Sequence, residues 1–531
     1  NVAGLFRDSF SLESVPKDLF NNAYKVGDSV GNNGYGYYAL TNAGKNNLGD
    51  PSKTIVLNEN FLSNCELTYG IGNYFTGWNI DSVPENIFKN SLSSIENGGT
   101  GKINLNSTFY NLLKDFQIQS SCREMIINTS ITHVKSSWWG GTIQQNNIDF
   151  YSFARGGIVD TIDEDLFDVF NGEIYLKQGF YGNSLLIQIP LNIFKNCIIS
   201  NVQQCFEQTG LKYIGDDLIY QSTETLFMNK MFYKCYDLEY VGNIFHESSN
   251  TVEVTVSSFI ELTNVRNMGE TIFQNVNIDS FSYFAFNAKI ENIYLTQFSD
   301  NNSATSLTAS FRRCSISVVP EGFLSKFNAV GVDYNQMFGD QTANILIHGE
   351  EMRGCTETIN IYGLFGYANI DNITIDFFRD CSKVENAASC FVGRFGDKMN
   401  SKVLKREFWS YIPLNRKLRY SLRYNFQDIQ DSDWDADVFY DMTELTDAFR
   451  MFWGARNLGN SYPSTLFANN TKLTNVKETF IECDLTEIKQ GLFENNPLIN
   501  DFQRTFHQYS VSVGKSIPQD LFASNTASNV N

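Results

Sequence analysis

The residues best spaced for chemistry are the carboxylates of Asp433-Trp434-Asp435-Ala436-Asp437-Val438-Phe439-Tyr440-Asp441-Met442-Thr443-Glu444. Asp433, Asp435, Asp437, Asp441 and Glu444 fall at loop positions 1, 3, 5, 9 and 12, the spacing of a calcium-binding loop. Position 6, where the sharp turn wants Gly, is Val438, and a solvated acidic face is the alternative, so no metal set is assigned. Four histidines (133, 246, 348 and 507) are scattered, and no Ser nucleophile elbow, phosphate loop or H-E-x-x-H pair occurs. Ten cysteines include no C-x-x-C pair, which leaves zinc ribbons and dithiol redox chemistry without support. No catalytic residue and no cofactor is assigned. A glycosidase would need two carboxyls about 5–10 Å apart in a cleft.

Binding is the chemistry left. Residues 402–426 form a basic island on an acidic chain. Leu418, Tyr420, Leu422, Tyr424 and Phe426 alternate there with Lys417, Arg419, Ser421, Arg423 and Asn425, which predicts a strand with an apolar inner face and a basic outer one. Lys417, Arg419 and Arg423 then either guard an exposed edge or dock an acidic surface, a second copy of this chain included. Aromatic loops at Tyr35, Tyr37 and Tyr38 and at Trp138 and Trp139 either hold a sugar face or a protein partner or fold back over the core.

The elements that carry these residues are set by repetition. A phrase of an aliphatic residue, Pro, two variable residues and Leu/Ile-Phe reads Val15-Pro16-Lys17-Asp18-Leu19-Phe20, Val83-Pro84-Glu85-Asn86-Ile87-Phe88, Ile189-Pro190-Leu191-Asn192-Ile193-Phe194 and Ile517-Pro518-Gln519-Asp520-Leu521-Phe522. With Pro320 and Pro463, six of the nine prolines occupy this slot. A second phrase, Phe-x-x-Cys, recurs at Phe232–Cys235, Phe311–Cys314, Phe378–Cys381 and Phe480–Cys483. Phe439, Phe467, Phe493 and Phe522 are 28, 26 and 29 residues apart, a leucine-rich-repeat period. Leu473, Val476 and Phe480 sit at i, i+3 and i+7, a helical face, and Leu485 to Ile488 reads as strand. The expected repeat is one short strand plus two short helical turns, with Cys in a tight corner and the Phe rings stacked in one column.

Phe-x-x-Cys-x-x-Leu together with Ile-Pro-x-x-Leu-Phe resembles the BspA-type leucine-rich repeats of bacterial surface proteins and some phage virion proteins. The resemblance covers most of the chain in degenerate form, most clearly over 158–246 and 434–522. The Asn- and Phe-rich composition also resembles tail proteins of crAss-like phages, of the muzzle type. The expected fold is an α/β repeat, a leucine-rich-repeat-like solenoid running continuously over 1–531. Insertions are expected at about 21–60, 95–160, 250–300 and 330–430.

A formal charge of −19 repels phosphate backbones, so nucleic acid is not an expected partner. No run of about 18 apolar residues is present to span a membrane. The chain opens on Asn1 with no basic-then-apolar leader, which reads as a piece of a longer polypeptide. The expectation is a non-enzymatic structural and interaction module of a phage tail, partnered by other virion proteins or its own copies, or by a host-surface protein or glycan. The alternative is a bacterial cell-surface adhesin for host glycoprotein or matrix.

Overall fold

The computed structural model describes residues 132–136, 148–168, 170, 172–246, 253–299, 302–345, 350–370, 373–392, 401–423, 433–455, 458, 462–507 and 517–525. They fall into two compact units divided between Asn277 and Ile278. The first unit stacks short parallel strands in columns. One column runs through β2 (Ile148–Asp149), β4 (Glu173–Tyr175), β5 (Ile198–Asn201), β7 (Gln221–Phe227) and β9 (Glu253–Thr255). Another joins β6 (Tyr213–Ile214), β8 (Tyr240–Val241) and β10 (Asn267–Met268), and β1 (His133–Val134) pairs with β3 (Thr161–Ile162). Ile148 pairs with Ile174 and Ile174 with Ile199, so each coil advances the chain by 26 and 25 residues.

β11 (Asn277–Ser280) lies at the division. In the second unit β12 (Val332–Asp333) pairs with β14 (Thr358–Asn360), and β13 (Asn344–Ile345) with β15 (Asn369–Ile370), again in parallel. Further on, strands shrink to single bridges, Lys417 to Asp447, Asp447 to Asn475 and Asn475 to Asp501. Each unit is thus a parallel-strand repeat solenoid.

Where two helical turns per repeat were expected, most coils carry linked β-turns. Among the described residues the one α-helix is α1 (Arg406–Ser410), with short 3-10 turns at Leu295–Gln297, Leu324–Phe327 and Ser401–Leu404. After each strand the backbone N–H groups alternate in use. Those of Met228, Lys230, Phe232 and Lys234 donate to the next coil at 2.9–3.0 Å, while those of Met231, Tyr233 and Cys235 donate three residues back within their own coil. Ala448 to Ala455 repeat the scheme in the second unit. The N–H groups so paired are satisfied without helix or continuous sheet.

Such linked turns require positive φ at every fourth residue. Lys230 and Lys234 have φ of 59° and 58°, Ala309 and Arg313 55° and 61°, and Glu478 and Glu482 55° and 58°. Side chains in this region are uncommon and each costs about 1–2 kcal/mol. The coil-to-coil hydrogen bonds hold them there. The run buries Met228, Met231, Phe232 and Cys235, at i, i+3, i+4 and i+7. That is the burial signature of a helix, which explains why Leu473 to Phe480 reads as one.

The apolar column is built from Phe. Phe180, Phe206 and Phe232 stack at 5.7 and 5.9 Å, Phe311, Phe338 and Phe365 at 5.7 and 5.8 Å, and Phe452, Phe480 and Phe506 at 5.2 and 5.5 Å. A second row holds the Phe of the Pro-x-x-Leu-Phe phrase, Phe167 on Phe194 and Phe439 on Phe467 on Phe493. Phe-x-x-Cys marks two different corners. The Cys235 and Cys483 thiols donate to the carbonyls of Phe206 and Phe452 at 2.9 Å beside the first row, whereas Cys381 donates to Met352 beside the second. In neighbouring coils Asn takes the second-row corner. Asn470 donates to Phe439 and Met442, and Asn496 to Phe467 and Asn470. The abundant Asn and Asp also start the turns. The carboxyl or amide oxygens of Asn360, Asp447, Asn475 and Asp501 accept the N–H two residues on at 3.0 Å.

Candidate functional site

The turn ladder presents the side chains able to meet a partner. In each coil two inward residues follow the first left-handed position, and in most coils the next residue reaches the surface again. In the second unit the left-handed series includes Ala309, Gln336, Gly363, Ser389, Tyr420, Arg450 and Glu478. The positions three residues on read Arg312, Gly339, Gly366, Val392, Arg423, Trp453 and Ile481, of which Val392 and Ile481 are buried. Both series become small together at 339–389, and a hollow of about 230 Å³ opens there.

Glycine backbone lies at this hollow and arginine and aromatic side chains wall it. Gly363 has φ of 60°, and a Cβ there would meet Gln336 Cγ at 2.9 Å. A Cβ on Gly366 would meet the carbonyl oxygens of Gly363 and Ser389 at 3.2 Å. At one wall Arg312 donates to Asp340 Oδ2 at 2.8 and 2.6 Å and to Gln336 Oε1 at 2.6 Å. At another the Arg423 guanidinium lies 3.5 Å from the centre of the Trp453 ring and donates to the Tyr367 hydroxyl at 3.3 Å. Arg450 stands 4.5 Å from the same ring, donates to the Tyr420 hydroxyl at 3.3 Å and is paired with buried Glu478. Although its burial opposes the charge, the bonds to Glu478 and Tyr420 raise the Arg450 pKa above its ordinary value. Trp453 is oriented by its Nε1–H, which donates to Glu482 at 3.0 Å.

A second, more open hollow in the first unit lies where β7 departs from its neighbour. Pairing jumps from Ile199–Ser222 to Asn201–Phe227, which inserts three extra residues. Glu173, Tyr175, Glu224 and Phe227 line the space.

Of the sequence candidates, Lys417, Arg419 and Arg423 are described, and Tyr35, Tyr37, Trp138 and Trp139 lie outside the described residues. The segment from Leu418 to Arg423 is turn ladder, not the expected alternating strand. Leu418, Ser421 and Leu422 are buried, and Tyr420, with φ of 56°, faces outward. Its four-residue burial period resembles a two-residue one over so short a run. The three cations do not act as one strip. Lys417 is exposed, Arg419 is paired with Asp447 at 2.5 Å, and Arg423 belongs to the hollow.

The acidic stretch holds cations of the chain itself. The Arg406 guanidinium binds Asp437 at 2.7 Å and Asp441 at 2.7 and 2.9 Å, its backbone N–H binds Asp435 at 2.8 Å, and Lys472 binds Glu444 at 2.5 Å. The bonds to Asp441 and Asp437 push the Arg406 pKa up. Among the described residues no group of three or more His, Cys, Asp or Glu could hold a metal ion.

Sequence reasoning missed Arg312, Asp340, Arg450 and Trp453. The signal was present: the first variable residue of Phe311-Arg312-Arg313-Cys314, and Trp453 directly after Phe452, mark one outward series. No helix of the described residues is long and apolar enough to cross a membrane.

No family model and no curated protein matches the chain. Among solved structures it aligns with the crystal structure of a TLR13–ssRNA13 complex, over 87% of this chain and 84% of that one, at 10% identity and a TM-score of 0.28. What makes each unit a leucine-rich-repeat-like solenoid is its own coil geometry: parallel strands one repeat apart, phenylalanine stacks and capped corners.

Proposed function

We propose that the chain is a non-enzymatic structural and interaction module in which the turn-ladder face meets the partner. The observation that carries this reading is the regularity of that face. The same two positions recur on backbone fixed by coil-to-coil bonds, and where their side chains reach the surface, as at Lys230, Arg312, Tyr420, Arg423, Arg450 and Trp453, they stand on a preorganised recognition surface. The resemblance of its sequence to phage tail proteins makes a virion tail its proposed home, with other virion proteins or further copies of itself as partners. A hollow walled by arginine and aromatic side chains favours a second reading, a BspA-like adhesin on the bacterial surface that binds host glycoprotein or matrix.

Antibody labelling of purified phage particles and of intact bacteria separates the two. Label at a fixed place on the tail is expected, and label confined to the bacterial envelope would move the chain to the adhesin reading. Cross-linking followed by mass spectrometry is expected to join the partner to the ladder face, for example at Lys230. Turnover of polysaccharide by the wild-type chain, abolished by Glu173→Gln with Glu224→Gln, would overturn the non-enzymatic reading.

A further inference from the structure

We propose that the hollow of the second unit binds a neutral sugar, a single ring of an uncharged glycan, with Tyr362 as its platform and Gln336 and Asp340 as its hydroxyl partners. This rests on the ladder face being a recognition surface and adds the ligand class. Three observations carry it: the pairing of the charges in the wall, the groups which that pairing leaves over, and the floor.

The cations of the wall are engaged within the chain. Arg312 gives Nε and Nη2 to Asp340 and Nη1 to Gln336. Arg450 gives Nε to Glu478 and Nη1 to the Tyr420 hydroxyl. Arg423 gives Nη1 to Tyr367 and lies 3.5 Å from the centre of the Trp453 ring. A carboxylate or phosphate draws its affinity from an open guanidinium fork, and these forks already have partners. A cationic ligand would meet three guanidinium groups in the lining and be repelled. The wall therefore selects against charge of either sign.

An uncharged ligand must still satisfy the polar groups it covers. Gln336 and Asp340 are held side by side on the one guanidinium of Arg312, through Oε1 and Oδ2. With Oε1 accepting, the orientation of the Gln336 amide is fixed and its Nε2 is a donor. Neither Gln336 Nε2 nor Asp340 Oδ1 has a hydrogen-bond partner among the described residues. A donor beside an acceptor matches the neighbouring hydroxyls of a sugar, each of which gives and takes a hydrogen bond. An apolar ligand would strip both groups of water and return nothing.

Tyr362 supplies the apolar side. It lines the hollow half-buried, and among the described residues its hydroxyl has no hydrogen bond and its ring no aromatic or cationic neighbour. Tyr420 and Trp453, by contrast, already have the Arg450 guanidinium over their rings. The Tyr362 ring is the face left for the C–H side of a sugar. The floor is peptide backbone at Gly339, Gly363 and Gly366. A Cβ on Gly339 would stand 3.4 Å from the Gln336 carbonyl oxygen and 3.5 Å from those of Gly363 and Gly366. Each of these oxygens accepts one backbone N–H and keeps a second lone pair for a hydroxyl. About 230 Å³ suits one ring, beside the roughly 300–1,000 Å³ of sites for drug-sized ligands.

The purified chain would be applied to an array of neutral oligosaccharides of glucose, galactose and mannose, printed beside uronic-acid and sialic-acid glycans, phosphorylated sugars and poly-lysine. Capture of neutral oligosaccharide is expected, changing less than about twofold between low and high salt because no ion pair forms. Tyr362→Ala is expected to weaken capture by about tenfold, the scale of an aromatic contact, with Tyr362→Phe losing less. Should Tyr362→Ala fail to fold, nitration of the wild-type chain with tetranitromethane reads the same contact, and a captured sugar is expected to protect Tyr362. The proposal is overturned if no neutral oligosaccharide is captured, if the charged probes bind equally well, if high salt abolishes capture, if a folded Tyr362→Ala captures as the wild type does, or if Tyr362 is nitrated equally with and without sugar. Partner cross-links on the ladder that persist beside such a failure would leave the interaction module standing and remove only its ligand.

Discussion

In the first unit the left-handed positions 178, 204 and 230 carry Gln, Gln and Lys; in the second, 336, 363, 389, 420 and 450 carry Gln, Gly, Ser, Tyr and Arg. The backbone beneath is alike, with N–H groups alternating between the next coil and the same coil. Gln178 donates to Gln204 of the next coil at 3.0 Å and Gln204 to Glu207 of its own coil at 2.7 Å, so side-chain amides occupy these positions and are tied to one another. In the second unit the series drops to Gly363 and Ser389 before rising to Tyr420, and the face opens into a hollow. Side-chain volume at one recurrent position, on a constant scaffold, decides whether the surface is closed or concave. That economy is available because the coil is held by backbone bonds and by the Phe columns, neither of which depends on the outward residues.

The comparison breaks most severely if the shared support is removed. Phe480→Ala is expected to cost about 3–5 kcal/mol in chemical denaturation, the range for deleting a buried aromatic ring. Its ring packs 5.2 Å from Phe452 and 5.5 Å from Phe506, so adjoining coils should loosen with it. A loss near zero would mean that the columns are not what both faces rest on. Next in size is the corner. Asn496→Leu leaves the Phe467 and Asn470 carbonyls without their donor and is expected to cost about 2 kcal/mol by the same measurement.

Smaller effects sharpen the contrast between the two series. Gly363→Ala places a Cβ 2.9 Å from Gln336 at φ of 60°, with an expected loss of about 1–2 kcal/mol and a narrower hollow. In the first unit Lys230→Gly relieves a strain of similar size and adds about 0.5–1 kcal/mol of unfolded-chain entropy, so a small gain is expected. Losses in both would show that left-handed strain does not govern these positions.

The smallest effect is a pH dependence. Burial raises the carboxyl pKa of Glu207 above 4.5, against the hydrogen bond from Gln204 and the charges of Lys230 and Lys234. A raised folded-state value means that the charged form opposes folding at neutral pH, and that this is relieved as the pH falls through the raised value toward 4.5. Glu207→Gln should therefore raise the melting temperature slightly at pH 7, with the advantage gone near the ordinary carboxylate range. Parallel curves for the two proteins across that interval would contradict it.

The Phe columns were legible in the sequence because a Phe deleted from a stack has no local substitute, and so the Pro-x-x-Leu-Phe phrase survives elsewhere-degenerate coils. The turns were not. Met228, Met231, Phe232 and Cys235 are buried with the spacing of a helix, and a sequence pattern cannot separate linked turns from helical ones. Leu418 and Leu422 suffered the opposite error, since two inward residues four apart fit an alternating strand equally well. Of the hollow, Arg423 was visible as one of a basic cluster. Its partners Trp453 and Tyr367 lie 30 residues after and 56 before it, brought close only by the register of the coils. The mimicry of the acidic stretch was undone by Arg406, which a spacing of carboxylates does not reveal.

The eight described cysteines are buried, and burial pushes every one of their thiols up in pKa. Thiolate, the form that couples or is oxidised, is suppressed, and the sulfur is shut away from reagents. These coils accordingly keep one covalent connectivity whether glutathione or molecular oxygen surrounds them. Carried from a reducing interior to an oxidising exterior, the described coils would cross that boundary with nothing to reshuffle.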